Sequence, residues 1–408
     1  MRQFGLLVAS LEFCLIIIIE VPIHSMSIAM SDDFEVPSYH RRKQKQRVRV
    51  SHGDDGLRAT KPQRSVNISK PPRFSHEPLR RITLVHDDDI HTLLQVDKEH
   101  FISGSKDCTV KLWTVNGDSV KNLYTPDASS YKRWVTCSAI TNTGTVVCGF
   151  RDGSFRLWQD NFRSSQCWER HASAEFKSKQ RNKNRVNCIV ADGQDHILAG
   201  SAIEFSEWDV SQDPACIATH SVSANDWVYC IERLNVDKLL VVIGSNLETY
   251  TTTDQGRSWK RMHIHIDGNK QHRYQTAQGQ QRPHISAIQR IRGSSLVACA
   301  CFDGVLRWSD LEADVSPFKS QAHKGRVWTV LSVPSQEQQQ VVTSGDDGCI
   351  CFWDYRTRSK VKTISGHEGR VSQLMFVNDM QLLAASCPDN PHSSKAKGQF
   401  TYWDMRTL

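Results

Sequence analysis

Cysteine and histidine are the residues of this chain with the widest chemistry, since both bind metals and cysteine can also act as a nucleophile. The 408 residues include 13 cysteines and 17 histidines. Zinc sites are usually completed by close pairs of such ligands. Cys299 with Cys301 and Cys349 with Cys351 are close pairs, but no Cys-x-x-Cys or histidine pair lies near either one. We therefore predict packed, reduced thiols, with no metal and no disulfide.

Other reactive patterns are weak or missing in the sequence. His263 and His265 would share one face of a strand and could bind a metal, but we do not expect this. The sequence has no glycine-rich phosphate loop, no nucleophile elbow and no zinc-protease motif. We expect a protein that is not an enzyme and that has no cofactor.

The feature that organises the chain is a recurring tryptophan at the end of a strand-like segment. The six copies are separated by 45, 50, 100, 45 and 50 residues. A period of about 40–50 residues with this ending predicts a radial array of four-stranded blades. The double gap leaves room for a seventh copy, with Tyr250 in the tryptophan position. The six residues are Trp113, Trp158, Trp208, Trp308, Trp353 and Trp403.

The clearest copy runs from His323 to Asp354. Val327–Val333, Gln340–Ser344 and Cys349–Trp353 are its first three predicted strands, and an Asp-Gly turn joins the last two. Lys360–Ile364 would be the fourth strand. Matching first-strand positions in the second, third and fourth copies hold a small residue that we expect to pack in the core. These residues are Cys137, Cys188 and Cys230, where the sixth copy has Thr329.

These motifs resemble the WD-repeat family of β-propellers, over about residue 79 to the C-terminus. The resemblance depends on Gly366-His367, on two Trp-Asp pairs, and on aspartates six residues before a tryptophan. The pairs are Trp353-Asp354 and Trp403-Asp404, and the aspartates are Asp107, Asp152 and Asp347. The family resemblance implies an all-β fold, a seven-bladed WD-repeat β-propeller.

The resemblance also implies a hydrogen-bonded set of histidine, serine or threonine, aspartate and tryptophan within a blade. Such a network satisfies buried polar groups and stiffens the blade. The sets implied here are His323, Ser344, Asp347 and Trp353, and His86, Ser103, Asp107 and Trp113. Blades three and four lack the aspartate, and blade five, read as starting at His284, has Asp303 one residue closer to its tryptophan.

Two further segments bear on the ring. Leu79–Val85 precedes the first copy, where we expect it to close the ring as the outer strand of the last blade and remove an open edge. Thr252–Trp259 resembles the Asp-box turn of sialidases and other propellers, a hairpin between the third and fourth strands of a blade. It indicates that the divergent fourth copy is still a blade.

Charge divides the chain into three parts: 1–30, an apolar segment; 31–78, a basic linker predicted to be disordered; and 79–408, the propeller. Residues 31–81 hold 13 Lys and Arg against 6 Asp and Glu, a surplus of 7, which equals the net charge of the whole chain. The linker's densest positive charges could serve nuclear import, contact nucleic acid or anionic lipid, or have no specific role. They are Arg41, Arg42, Lys43, Lys45, Arg47 and Arg49.

The apolar run at residues 4–19 has three open interpretations. It could be a signal peptide or short anchor, a region upstream of a start at Met26 or Met30, or a buried packing segment. The many unpaired thiols favour the cytoplasm or the nucleus, whereas a functional segment 1–30 would place the protein in the secretory route or on a membrane.

Binding residues are expected on loops, because a rigid scaffold displays them. Alternating cations in the loop at 159–185 could contact phosphate, or could simply be solvated; they are Lys177, Lys179, Arg181, Lys183 and Arg185. Tryptophan and arginine just ahead of the first strands are better candidates for protein binding, although some of these tryptophans should be core residues. This set is Arg133, Trp134, Trp227, Arg326, Trp328 and Arg370.

Two consecutive copies end in Trp-Asp-x-Arg, which places Arg356 and Arg406 just past a third strand. This resembles the motif by which WD-repeat substrate receptors dock onto the adaptor of cullin-RING ubiquitin ligases. We predict a non-catalytic scaffold for protein–protein assembly. The alternatives are a ubiquitin-ligase substrate receptor and a nucleic-acid-associated factor that uses the basic linker and loop.

Overall fold

The computed structural model describes residues 76–125, 133–159, 170–171, 185–193, 195–211, 215–222, 226–254, 258–266, 284–313, 315–334, 339–387 and 397–408. The predictions for the apolar segment 1–30, for the basic linker up to residue 75 and for the loop cations Lys177 to Lys183 lie outside the described residues. No helix occurs within the described ranges.

The described chain forms 28 strands in seven four-stranded antiparallel sheets, which are the blades of one ring. Blades one to three comprise β2 (Ile90–Gln95), β3 (His100–Ser105), β4 (Val110–Thr114), β5 (Ser119–Tyr124), β6 (Val135–Ile140), β7 (Val146–Phe150), β8 (Ser154–Trp158), β9 (Arg170–His171), β10 (Cys188–Ala191), β11 (His196–Gly200), β12 (Glu204–Asp209) and β13 (Ala215–Ser221). Blades four and five comprise β14 (Val228–Asn235), β15 (Lys238–Ile243), β16 (Asn246–Thr251), β17 (Lys260–Ile266), β18 (Ile285–Arg290), β19 (Leu296–Cys301), β20 (Val305–Asp310) and β21 (Phe318–Gln321). Blades six and seven comprise β22 (Val327–Ser332), β23 (Gln340–Gly345), β24 (Ile350–Asp354), β25 (Ser359–Ile364), β26 (Arg370–Asn378), β27 (Gln381–Cys387), β28 (Gly398–Asp404) and β1 (Arg80–His86).

The seven-bladed fold and its closure are confirmed. The first strands of successive blades contact one another around the ring, and β26 of blade seven contacts β2 of blade one. Blade seven has the order β1-β28-β27-β26, so the earliest strand is the outer strand of the last blade. Arg80 pairs with Tyr402 and Ile82 with Phe400 across this junction.

Each seam between neighbouring blades has its own apolar cluster, because the two faces of every blade are buried. In six seams the cluster includes a third-strand aromatic residue from the following blade: Trp113, Trp158, Trp208, Tyr250, Trp353 and Trp403. Trp308 breaks this rule, since it packs with Trp353 in the seam between blades five and six.

The alignment of blade five to the other repeats was shifted by one residue, so the position of the recurring tryptophan is occupied by Ser309 and not by Trp308. Ser309 precedes Asp310 as Trp353 precedes Asp354, and Ser309 pairs with Val297 as Trp353 pairs with Val341. Trp308 is therefore not the equivalent of the recurring tryptophan. Its neighbour Arg307 is buried instead, and its guanidinium forms a bidentate pair with Asp303 at 2.9 and 2.6 Å.

The hydrogen-bonded set implied for blade one is present. His86 Nδ1 is 2.8 Å from Asp107 Oδ2, and His86 Nε2 is 2.6 Å from Ser103 Oγ. Trp113 Nε1 donates to the same Ser103 hydroxyl at 2.7 Å. The network links the end of β1, the outer strand of blade seven, to β3 and β4 of blade one.

In blade six the set is also present, but with Thr343 in place of Ser344, so that assignment was wrong. His323 Nε2 is 2.9 Å from Thr343 Oγ1, and Trp353 Nε1 donates to that hydroxyl at 3.0 Å. Both hydroxyl residues, Ser103 and Thr343, lie ten positions before their tryptophan. Successive side chains alternate between the faces of a strand, so Ser344 belongs to the other face.

His284 is not the start of an equivalent network. His86 and His323 lie four positions before Ile90 and Val327, the residues that open the first strands, whereas His284 lies next to Ile285. Its ring packs against Tyr229 and Phe302, with centroid distances of 5.7 and 6.3 Å.

The inner strands carry a second set of hydrogen bonds that joins neighbouring blades. Ser372 Oγ donates to Ile90 O at 2.7 Å, and Thr136 Oγ1 donates to Val186 O at 2.6 Å. Ser286 Oγ does the same to Val327 O, and His91 Nδ1 is 3.0 Å from Val135 O. Each donor directly follows a buried Ile or Val at the start of its first strand, a sequence signal that the spacing of the tryptophans does not reveal.

Glycines in the second strands let the inner strands approach closely. A Cβ at Gly149 would lie 2.7 Å from Val186 Cγ1 and 2.8 Å from Cys137 Sγ. We expect Gly149→Ala to lower the free energy of unfolding by about 1–3 kcal/mol, measured by urea denaturation, because a packed seam must move. Gly144→Asn is the control, since nothing lies within 4 Å of a Cβ at Gly144 and asparagine tolerates its φ of 88°. Equal stability of the two variants would contradict close packing at this seam.

The His323 network makes stability depend on pH. Burial opposes protonation of His323, but Asp347 and Cys351 raise its pKa from 6.5 to about 9. This contribution is fully present below pH 6.5 and is lost as the pH rises through about 9. Although burial alone would raise the pKa of Asp347, its bonds with His323 lower that pKa from 3.8 to about 2, so its contribution is lost as the pH falls through about 2.

We expect Asp347→Asn to destabilise the protein most between about pH 4 and 6.5, and progressively less as the pH rises to about 9. The measurement is the free energy of unfolding of both proteins across this range. Asp107→Asn is the matched control, because burial lowers the pKa of His86 below its ordinary value, so His86 loses its proton at a lower pH than His323 does. A destabilisation by Asp347→Asn that does not change with alkaline pH would contradict a protonated His323.

Candidate protein-binding face

One face of the ring carries the start of every first strand and the turn between the second and third strands. We call it the upper face, and the opposite one the lower face. A repeated backbone bond holds the two segments together: Lys106 N donates to Asp89 O at 2.8 Å, and Asp346 N donates to Arg326 O at 3.0 Å. In blade two the same bond joins Arg151 N to Trp134 O at 2.9 Å. Side chains from both segments therefore meet on this face.

Around Trp134 the upper face combines an indole with several cations. The ring is half-buried, and the Arg151 guanidinium carbon and the Lys106 Nζ lie 3.9 and 4.8 Å from its centroid. His91 contacts it edge-on, and Arg133 Nε forms an ion pair with Asp152 at 3.1 Å. A rigid backbone thus presents an aromatic anchor with positive charge around it.

Blades five to seven supply a second cluster on the same face. Trp328 is only 3% exposed, so the prediction that it contacts a partner directly is wrong. Its Nε1 donates to Asp346 Oδ1 at 2.6 Å, and its ring packs against Phe302 with centroids 5.4 Å apart. Trp328 instead supports Arg326 and Arg370, whose guanidinium carbons lie 5.4 and 5.6 Å from its centroid.

The other predicted residues of this face differ in their exposure and in their partners. Arg370 is committed to Asp89, with Nε 3.1 Å from Oδ1 and a second contact between the other guanidinium nitrogen and Oδ2. Trp227 is half-buried. Arg185 is 1% exposed and lies 6.0 Å from the Trp227 centroid, so its assignment to nucleic-acid binding is wrong: it packs between blades rather than in the solvated loop.

The Trp-Asp-x-Arg arginines lie on the lower face, away from these clusters. Arg356 is exposed, and the Asp354 carboxylate accepts its backbone N–H at 2.8 Å. The Arg406 side chain is 69% exposed, and its guanidinium forms a bidentate pair with Asp404 at 3.0 and 2.8 Å. Docking through this pair of arginines remains a prediction.

Nine of the eleven described cysteines are buried in the core, whereas Cys216 is exposed and Cys349 is half-buried. Cys137, Cys188 and Cys230 are buried, and burial raises the pKa of Cys137 and of Cys230 to about 12. His265 Nε2 is 2.6 Å from Thr249 Oγ1. Among the described residues, no group of three or more His, Cys, Asp or Glu could hold a metal ion.

The strands on either side of the Asp-box segment, β16 and β17, pair as the predicted hairpin. Asp254 Oδ1 accepts from the Thr252 hydroxyl at 2.7 Å and from the Ser258 backbone at 2.8 Å. Hydrogen bonds from Ser258 and Thr252 lower the pKa of Asp254 to about 2. The motif is structural here.

Within the described part of the chain, no helix has the length and apolar character needed to span a membrane.

Comparison with known proteins agrees with this geometry. The WD40 family model (WD domain, G-beta repeat) matches residues 78–114 and 316–354. The chain is 29% identical over 115 residues to the probable coatomer subunit beta' of Schizosaccharomyces pombe, a match over 28% of this chain and 14% of that protein. It is 23% identical over 340 residues to the ribosome biogenesis protein WDR12 homolog of Trichoplax adhaerens, over 78% of this chain and 74% of that protein.

Solved structures show the same fold at low sequence identity. The WD40 β-propeller domain of Doa1 aligns with a TM-score of 0.57 and 14% identity, over 79% of this chain and 95% of that one. A chain of the Mitotic Checkpoint Complex aligns with a TM-score of 0.59 and 15% identity, over 88% of this chain and 99% of that one. The matched WD40 repeats and the closed ring of seven four-stranded blades support a WD-repeat β-propeller.

Proposed function

We propose that this protein is a non-catalytic scaffold that binds protein partners on the upper face of its propeller. The observation that carries the proposal is the half-buried indole of Trp134 with Lys106 and Arg151 over its ring. Tryptophan and arginine dominate the energetics of protein interfaces. A rigid scaffold also lowers the entropic cost of binding, because the contacting side chains are already ordered.

The buried location of the acid–base pairs supports a role other than catalysis. His86 and His323, which contact Asp107 and Asp347, are 1% and 2% exposed. A general base must reach the proton that it removes, and these imidazoles already bond to a carboxylate and to a hydroxyl within the blade. They hold the blade together through these bonds.

The complex that the scaffold serves is a finer question. The relative that aligns over 340 residues is named a ribosome biogenesis protein, which makes ribosome assembly a second candidate setting. Cytoplasmic or nuclear location would suit it. The ubiquitin-ligase receptor role depends on the exposed Arg356 and on Arg406, and it gains no support from the comparisons.

To test the proposal, the full chain carrying Trp134→Ala and Arg151→Ala would be compared with wild type by affinity purification and quantitative mass spectrometry. We expect the main partners to lose about tenfold or more in affinity, because an interface anchor is removed. Arg356→Ala with Arg406→Ala is the matched control on the lower face and should leave those partners bound. Thermal unfolding of each variant checks that the fold is kept.

The opposite pattern would contradict the proposal. Partners lost only from the lower-face variant, with a ubiquitin-ligase adaptor among them, would favour the receptor role. A complex whose stability falls steeply with salt and with nuclease treatment would favour nucleic-acid binding, since neutralised phosphates release counterions.

A further inference from the structure

We propose that the upper face recognises an acidic segment of its protein partner, and that Arg326 binds a carboxylate of that segment. The inference deepens the proposed function and depends on it. It starts from the arrangement of aromatic rings, carboxylates and cations where blades five, six and seven meet.

Arg326 is held in place by an aromatic platform. Its guanidinium carbon lies 5.2 Å from the centroid of Phe302 and 5.4 Å from that of Trp328, and both rings are buried. Its backbone N–H donates to Asp346 Oδ2 at 2.9 Å. A guanidinium stacked on rings in this way is pre-organised, so it loses less rotamer entropy when it binds a ligand.

The carboxylates around this platform are already committed. Asp346 accepts the indole N–H of Trp328 as well as the backbone of Arg326. Asp347 bonds to His323 and to the backbone of Lys324. Both oxygens of Asp89 contact the guanidinium of Arg370.

The guanidinium of Arg326 is consequently left without a carboxylate partner within the described ranges, although it is half-buried and stacked. Lys324, two residues earlier, is exposed on the same turn. A planar guanidinium binds a carboxylate through two parallel hydrogen bonds, which are stronger than neutral ones. These two cations therefore match a segment with neighbouring Asp or Glu side chains.

The charges nearby favour a short acidic protein segment over a nucleic acid. Carboxylates lie among the described cations of this face: Asp303 directly follows Phe302 and is paired with Arg307, and Asp89 is paired with Arg370. A nucleic acid gains affinity by having many phosphates neutralised along its length. Arg326 and Lys324, among neighbouring carboxylates, suit a few local negative charges.

The test is selection of a random peptide library, displayed on phage, against the immobilised full chain. We expect the enriched peptides to carry clustered Asp and Glu, and a synthetic copy to lose about tenfold or more in affinity for Arg326→Ala. Arg326→Lys should bind with intermediate affinity, because it keeps the charge but loses the stacked, bidentate group. Arg356→Ala, an exposed arginine on the lower face, should bind the peptide as wild type does. Thermal unfolding confirms the fold of each variant.

The outcomes separate this inference from the function on which it depends. Enriched peptides without acidic residues that still need Trp134 would overturn the acidic-segment inference and leave the upper face as the binding surface. Acidic peptides that bind Arg326→Ala as tightly as wild type would also overturn it. Peptides that bind every upper-face variant like wild type, or no enrichment, would count against both, and competition by single-stranded DNA at low salt would indicate nucleic-acid binding instead.

Discussion

The pairing of β1 with β28 is the interaction on which the rest of the propeller depends. It supplies the fourth strand of blade seven from the opposite end of the described chain, so the ring is closed by backbone hydrogen bonds. An unpaired outer edge on β28 would invite association with other chains. The two WD40 matches start at the outer strand of one blade and end in the third strand of the next, so each matched repeat joins two blades.

Because the ring is closed, the segments of the upper face are held in place. Their side chains are therefore already ordered when a partner binds. Buried histidine networks fix the turns of blades one and six, and inner-strand hydroxyls join neighbouring blades. Trp134 and Arg326 lie on segments held by these bonds, and each contacts side chains from more than one segment. The seam between blades four and five is built differently, with the buried Arg307, paired with the exposed Asp303, in place of a third-strand aromatic among its described residues.

Much of the fold could be predicted from the sequence, because tryptophan spacing and turn aspartates recur with the repeat. The site was less predictable, since exposure depends on neighbours outside the repeat. Ser344 and Trp308 were assigned one position away from the correct register, and in a strand such a shift moves a side chain to the other face. Trp328 and Arg185 have the residue types of an interface, yet the seams bury them.

The measurement that tests this account most directly is hydrogen exchange, followed by mass spectrometry, on the full chain. If β1 closes the ring, the amides of Arg80–His86 that pair with β28 should be protected to a similar degree as those of the outer strand of blade six, Ser359–Ile364. Exchange of β1 at the rate of an unstructured peptide, while blade six stays protected, would contradict closure of the ring by the β1–β28 pairing and the rigid upper face that depends on it.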